Sequence, residues 1–254
     1  WYAGAGIYGS VYLIATEKIH VPVNGVHVAT VVEEDGKYIQ PDFHTEPDME
    51  TLKEKSTVNV RTSIENKTAD DSVVSVNSVI YSKENPEVAK KRQDNIQVPA
   101  GKTVKVDQLI DIVKPDLWSV DDPNLYWVKT EIIQGSKVID TLDTRFGIRY
   151  LYLKPGTFDE AYSEENTLGG LFINGEYTRI NGMCEHRDLG ALGMETYQAA
   201  IDRRIRKLKS MGVNVVRCAH DPVSPEYIEA ADRLGMLIFE EGFDQWIKAK
   251  NSDD

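Results

Sequence analysis

Cysteine is scarce: Cys184 and Cys218 are the only two in 254 residues, too few for a small scaffold stapled by disulfides. No apolar run approaches the ~20 residues that a membrane-spanning helix needs. Basic charge is in deficit, with 29 Lys and Arg against 41 Asp and Glu and a formal net charge of −12. Nothing therefore offsets the repulsion of a phosphate backbone, which argues against a nucleic-acid partner. The rest is ordinary globular material, 41% hydrophobic and 28% charged, outside the disordered class. The length suits one large or two modest domains. The chain opens at Trp1 without a signal-peptide pattern and stops soon after a dense motif. The expectation is a piece cut from a longer protein, whose compartment signal would lie upstream.

The first twenty or so residues read as strand, with Ile7-Tyr-Gly-Ser-Val-Tyr-Leu-Ile14 rich in β-branched and aromatic side chains. From Val26 to Leu153 the pattern is all β. Val58, Val60, Thr62 and Ile64 alternate with polar neighbours, as do Val74, Val76, Ser78 and Ile80, then Val104 and Val106, then Tyr126, Val128, Thr130 and Ile132. Period-two alternation in short runs marks half-buried antiparallel strands, and several such runs suggest a sandwich. No cysteine lies in this span, so the sandwich has no inter-sheet disulfide. Gln134-Gly-Ser136 reads as a hairpin turn. The Asn66-Lys-Thr68 triplet is a glycosylation sequon that arises easily by chance. Residues 154–170 are polar and acidic, a linker or surface loop.

The texture then changes. Leu171–Ile180 is a hairpin with Asn174-Gly175 at its turn. Ile201, Ile205, Leu208 and Met211 form a helical stripe closed by Gly212. Val213–Cys218 is a short apolar strand. Ser224-Pro225 caps a second helix with Ile228, Ala231 and Leu234 on its face and Gly235 at its end. Met236–Glu240 is another buried strand. This β-α-β-α-β order implies a parallel sheet with right-handed crossovers. Residues 171–254 are far fewer than the ~250 that a closed α/β barrel takes, so about three of its strands fit.

In parallel α/β sheets the working residues gather at the carboxyl ends of the strands. Three such ends are Cys184-Glu-His-Arg-Asp188, Arg217-Cys-Ala-His-Asp-Pro222 and Glu240-Glu-Gly-Phe-Asp-Gln-Trp246. One charged loop after a strand is usually just solvated. Three at one topological position suggest a polar pocket for a hydroxyl-rich ligand. Other readings stand beside this one. Cys184-x-His186 and Cys218-x-His220 fit a Cys2His2 zinc set, although the usual Cys-x2-4-Cys framework is missing. A Cys184–Cys218 disulfide, or two small buried thiols, fit as well. His186 and His220 read equally as buried histidines bonded to backbone. Phe243 and Trp246 read as core, or Trp246 as a platform for a sugar ring. Arg217 needs a carboxylate if buried, and Glu240, Glu241, Asp188 and Asp221 are candidates.

These motifs together resemble glycoside hydrolase family 2, the family of β-galactosidases, β-glucuronidases and β-mannosidases. Trp1-Tyr-Ala-Gly-Ala-Gly-Ile-Tyr8 and Val11-Tyr-Leu13 resemble the end of its jelly-roll domain. Leu117-Trp-Ser-Val-Asp-Asp-Pro-Asn-Leu-Tyr126 and Arg145-Phe-Gly-Ile-Arg149 resemble the last strands of its immunoglobulin-like domain. Phe172-Ile-Asn-Gly175, Asn181-Gly-Met-Cys-Glu-His-Arg-Asp-Leu-Gly190, Met211-Gly-Val-Asn-Val-Val-Arg217, His220-Asp-Pro222 and Glu240-Glu-Gly-Phe-Asp244 resemble the start of its catalytic barrel.

The resemblance implies a jelly-roll remnant at 1–25, an immunoglobulin-like β-sandwich at 26–153, a linker at 154–170 and the first three βα units of a truncated TIM barrel at 171–254. It implies a retaining exo-glycosidase acting on terminal β-glycosidic bonds, with a carbohydrate as partner; no cofactor is assigned to this chain, and the family's divalent-cation ligands are not identifiable in it. The family's two catalytic glutamates have no counterpart here, since its acid/base stands in an Asn-Glu pair and this sequence has none. No catalytic residue and no metal ligand is carried over, and the chain alone is expected to be inactive. His186, Asp188, Arg217 and His220 match groups that bind or frame the sugar, and Glu241 and Asp244 match the acidic loop after the third strand. Cys184 stands where many members have Asn, Arg187 where a Glu is common and Gly242 where an Ala is usual; the first two, expected beside the pocket, leave the sugar open. The resemblance is compatible with a periplasmic or extracellular role. The half-built barrel should expose apolar faces, with self-association or poor stability as the consequence. The competing class is a non-catalytic carbohydrate-binding or adhesion module.

Overall fold

The computed structural model describes residues 9–156, 169–186, 188–220 and 222–242. They pack as two units. One comprises Ile14–Trp118 and Asn124–Thr178, and the other the described parts of Trp1–Leu13, Ser119–Pro123 and Arg179–Asp254.

The first unit is a β-sandwich built from β1 (Ile19–His20), β2 (Val26–Glu34), β3 (Lys37–Ile39), the short α1 (Met49–Glu54), β4 (Lys55–Asn66), β5 (Ser72–Tyr81), β6 (Ala89–Val98), β7 (Thr103–Val113), β8 (Tyr126–Gln134) and β9 (Lys137–Phe146). One sheet runs β1-β4-β2-β3, with β7 on the other side of β4, and the second runs β6-β5-β8-β9. All these pairings are antiparallel. The alternating residues of β4, β5 and β8 point inward and are buried. Val58, Val60, Ile80, Tyr126 and Val128 meet Ile110, Ile112, Ile148 and Tyr150 in one core cluster, and Ile64, Val74, Val76 and Ile132 meet Ile19, Val21, Ile96, Val98 and Val106 in a second.

Ser78 occupies an inward position because a partner reaches it from the facing sheet. Its hydroxyl donates to Gln108 Oε1 at 2.7 Å, and the Gln108 amide donates to the Lys91 carbonyl at 3.2 Å. Paired in this way, two polar groups sit in the core without an unmade hydrogen bond between them. The sequon asparagine is also structural. Asn66 is buried, its amide donates to the Asp70 and Val98 carbonyls at 2.9 Å each, and its carbonyl oxygen accepts from the Thr68 amide and hydroxyl. A folded chain offers no free Asn66 nitrogen to a glycan.

A small antiparallel sheet follows, made of β10 (Leu151–Lys154), β11 (Gly170–Ile173) and β12 (Glu176–Thr178). Asn174 (φ +54°) and Gly175 (φ +89°) form the turn between β11 and β12, the left-handed pair that a two-residue hairpin requires. This hairpin packs within the same compact unit as the sandwich. The Asn174 amide donates to the Tyr150 carbonyl at 2.8 Å, and its side chain holds the Tyr150 amide and the Trp118 carbonyl. The packing division therefore falls after Thr178. Of the expected linker, residues 157–168 lie outside the described ones. The strand expected at Ile7–Ile14 is absent among its described residues, where Val11, Tyr12, Leu13 and Ile14 are exposed; residues 1–8 lie outside the described ones. Inside the expected jelly-roll remnant, β1 pairs with β4 and so belongs to the sandwich.

The second unit holds β13 (Gly182–Glu185), α2 (Gln198–Ser210), β14 (Val215–Cys218), α3 (Pro225–Leu234) and β15 (Leu237–Glu240). The three strands are parallel in the order β13-β14-β15. Ile201, Ile205 and Leu208 of α2 pack with Tyr227, Ala230 and Ala231 of α3 over Val216 and Cys218 of β14. Met211 and Ile228, expected on the apolar faces, are exposed. Met211 follows the last turn of α2, and the buried stripe of α3 is rotated toward Tyr227 and Ala230. Ser224 caps α3 through the Tyr227 amide, and Gly235 (φ +71°) ends it. Between α2 and the loop at Ser119–Pro123, the Lys209 amine donates to the Val120 carbonyl and also to that of Gly235.

Candidate sugar-binding rim

Register fixes which side chains can meet. Cys184 lies beside Arg217, and Arg217 beside Phe239. The next residue on β14, Cys218, is buried against α2 and α3. Neighbours on a strand point to opposite faces, so Cys184, Arg217 and Phe239 face away from the helices. That parity disposes of two readings. Cys184 is exposed and Cys218 buried, and no disulfide joins them; on opposite faces of the sheet they do not combine in a Cys2His2 set either. Among the described residues no group of three or more His, Cys, Asp or Glu could hold a metal ion.

At the carboxyl ends of the three strands, four of the expected residues come together. Arg217 Nη2 lies 2.5 Å from Glu241 Oε1, and His220 Nδ1 lies 3.1 Å from Glu241 Oε2. The His186 and His220 rings meet edge to face, 5.7 Å between centroids. Arg217 Nη1 also contacts Cys184 Sγ at 3.4 Å. The Cys184 contact, and then the Glu241 carboxylate, hold the guanidinium above its already high pKa, so it is a permanent cation. A carboxylate at Nδ1 places the proton of a neutral His220 on that nitrogen and leaves Nε2 as an acceptor. Glu241 thus orients a cation and an imidazole along one edge, an arrangement suited to fixing several hydroxyls of one ring.

The remaining expectations fall elsewhere. Asp188 turns back on its own loop, where its carboxylate accepts from the Gly190 amide at 3.4 Å. Glu240 accepts from the Val223 amide at 2.9 Å, so of the candidate partners Glu241 takes Arg217. Arg187, Asp221, Phe243, Asp244 and Trp246 lie outside the described residues. Three residues of the neighbourhood were not singled out from sequence. Tyr227 Oη donates to Glu185 Oε2 at 2.7 Å, and Arg204 Nε stands 3.7 Å from Glu185 Oε1. Burial, and then the Glu185 anion, push the Tyr227 phenol far above its usual range, so it stays a donor. Period two would have put Glu185 on the helix side of its strand, and a carboxylate there requires partners.

The profile described as glycosyl hydrolases family 2 matches residues 37–149, and the one described as the TIM barrel domain of glycosyl hydrolases family 2 matches 166–247. The chain belongs to glycoside hydrolase family 2. A β-galactosidase of Bacteroides ovatus is 34% identical over the whole of this chain, which spans 26% of that protein. A putative β-glucuronidase of Formosa agariphila is 28% identical over the same length, which is 21% of its own. The crystal structure of a family 2 member from Bacteroides cellulosilyticus superposes with a TM-score of 0.79 at 32% identity, covering 97% of this chain and 30% of that one. This family 2 chain therefore spans about a quarter of the length of the curated relatives it matches. Its architecture is the family's sandwich followed by the opening strands of the barrel.

Proposed function

We propose that this chain is part of a retaining exo-glycosidase that hydrolyses terminal β-glycosidic bonds, β-galactosidase-like or β-glucuronidase-like. It supplies one wall of the sugar cleft, while both catalytic glutamates come from outside it. The Arg217–Glu241–His220 relay, with His186 beside it, carries the reading. A preorganised cation and two imidazoles at the open ends of parallel strands orient hydroxyls, and support charge as an oxocarbenium-like state develops. In the same proposal Asp188, once its carboxylate exchanges the Gly190 amide for a sugar hydroxyl, and Asp244 extend the binding wall.

The rim carboxylates argue for binding over bond cleavage. A retaining pair needs two carboxyls ~5 Å apart across the scissile bond, one as nucleophile and one as acid. Glu241 is held by Arg217 and His220, Glu185 by Tyr227 and Arg204, and Glu240 by a backbone amide. Relatives named β-galactosidase and β-glucuronidase support a β-glycoside as substrate.

The test compares the purified chain with the longer protein that would contain it. Against 4-nitrophenyl β-galactoside and β-glucuronide the chain alone gives no rate above a buffer blank. The longer protein cleaves one of them, and Arg217→Met lowers its kcat/KM about a hundredfold, the scale of losing one preorganised charge-stabilising donor. Hydrolysis by the chain alone, or an Arg217→Met variant with the parent rate, overturns the proposal. A longer protein that binds sugar but cleaves neither substrate identifies a carbohydrate-binding module instead.

A further inference from the structure

Arg204, on α2, stands outside the rim yet grips the loop that carries two of the wall residues. Its Nη1 donates to the His186 carbonyl at 3.3 Å and its Nη2 to the Asp188 carbonyl. One planar guanidinium thus clasps the backbone on both sides of residue 187. A rigid fork fixes the separation and the direction of two carbonyls together, which a flexible ammonium does not. Behind the fork, Arg204 Nε faces Glu185 Oε1 at 3.7 Å, and the other Glu185 oxygen accepts from Tyr227 Oη at 2.7 Å. Strand β13, helix α2 and helix α3 each contribute one member.

Simple glue between α2 and α3 is the competing role, and that role is already filled. Asp202 of α2 accepts two hydrogen bonds from Arg233 of α3, at 2.7 and 2.8 Å. The carbonyls that Arg204 bonds, by contrast, both belong to the loop after β13.

We propose that Glu185, Arg204 and Tyr227 form a positioning brace that sets the direction in which the His186 ring faces the ligand. Arg204 is the working member. Glu185 keeps its cation in place in a site that is only 25% exposed at Arg204 and 17% at Glu185, and Tyr227 fixes Glu185. The consequence for sugar binding rests on the reading under Proposed function, but the aim of the His186 ring does not.

The experiment uses the 254-residue chain and the imidazole nitrogen resonances of its five histidines. His20, His27 and His44 lie in the sandwich unit, and His186 and His220 at the rim. Arg204→Met should shift the His186 resonances and leave those of the three sandwich histidines in place. Asp202→Asn, which weakens the helix pair without touching the loop, should leave His186 where it is. Galactono-1,5-lactone and glucaro-1,4-lactone serve as the sugar probes. The Kd of whichever binds should rise about tenfold in Arg204→Met, the scale of one lost charge-assisted hydrogen bond.

Arg204→Lys keeps the charge and loses the fork; it should move His186 in the same sense, and it decides the matter if Arg204→Met does not fold. A folded Arg204 variant with wild-type His186 resonances overturns the proposal, and so does an Asp202→Asn variant that moves them equally. If neither lactone binds the wild-type chain while Arg204→Met still moves His186, the brace stands and the sugar reading falls.

Discussion

Replacing Asp202 by Asn should destabilise the helical unit at neutral pH and progressively less as the carboxylate protonates in acid. Asp202 is 14% exposed and faces Arg233, which is 32% exposed. It accepts from Arg233 Nη2 at 2.7 and 2.8 Å and from Gln198 Nε2 at 2.9 Å. Burial works to raise its pKa. The hydrogen bonds from Arg233 and Gln198, with the charges of Arg233 and Arg206, outweigh that and leave it lowered. A carboxylate depressed in the folded state stabilises fully above its unfolded pKa of ~3.9 and loses the contribution as pH falls through the folded value. A hydrogen bond to a charged group contributes about 1.5–3 kcal/mol, and partial exposure places this pair near the lower end, about 1.5 kcal/mol. In a unit of fewer than a hundred residues that is a fall in Tm of roughly 6–12 °C. Circular dichroism at 222 nm reports the unit selectively, because α2 and α3 carry most of the helix among the described residues. Melts of the two proteins should differ by that amount at pH 7 and draw together as the pH falls below the unfolded value of ~3.9 and through the lowered folded one. Equal melts at pH 7, or a gap that does not narrow on acidification below about pH 4, would refute this.

Gly235→Ala should cost at least about 1 kcal/mol, since a left-handed residue resists a Cβ and the new atom would overlap the Val120 carbonyl oxygen; chemical denaturation followed at 222 nm measures it. Gln108→Ala strips the buried Ser78 hydroxyl and the Lys91 carbonyl of their partner, a loss of about 1–3 kcal/mol, read as a lower denaturation midpoint of the sandwich unit. Phe239 is 63% exposed on the sheet face away from the helices, so light scattering should find the chain self-associated. Phe239→Glu should shift it toward monomer, whereas a wild-type chain already monodisperse as a monomer would contradict this.

The sandwich was legible wherever burial imposes a period of two. In β4, β5 and β8 every alternating residue named from sequence is buried. Strand β6 was not legible, because Lys90-Lys91-Arg92 breaks the alternation. It is an edge strand, and charge there protects an exposed rim of backbone groups. Helix α1 escaped notice because its six residues bury nothing and its start rests on the Asp48 side chain. The rim was legible for a topological reason: parallel strands bring their carboxyl ends to one edge, so His186, Arg217, His220 and Glu241 could be grouped from loops far apart in sequence. The brace was not. Arg204 sits among the charged residues of an amphipathic helix and looks solvated, while Tyr227 lies one position from the apolar stripe read for α3. Only the register of β13 shows that Glu185 faces them both.

In the proposed function the ends of β13, β14 and β15 are one wall of a sugar cleft. The direct test is to follow the imidazole resonances of the wild-type chain as galactono-1,5-lactone or glucaro-1,4-lactone is added. His186 and His220 should move together and saturably with one of the two, with His20, His27 and His44 unmoved. Rim resonances that stay fixed with both lactones, or all five histidines drifting alike, would contradict it.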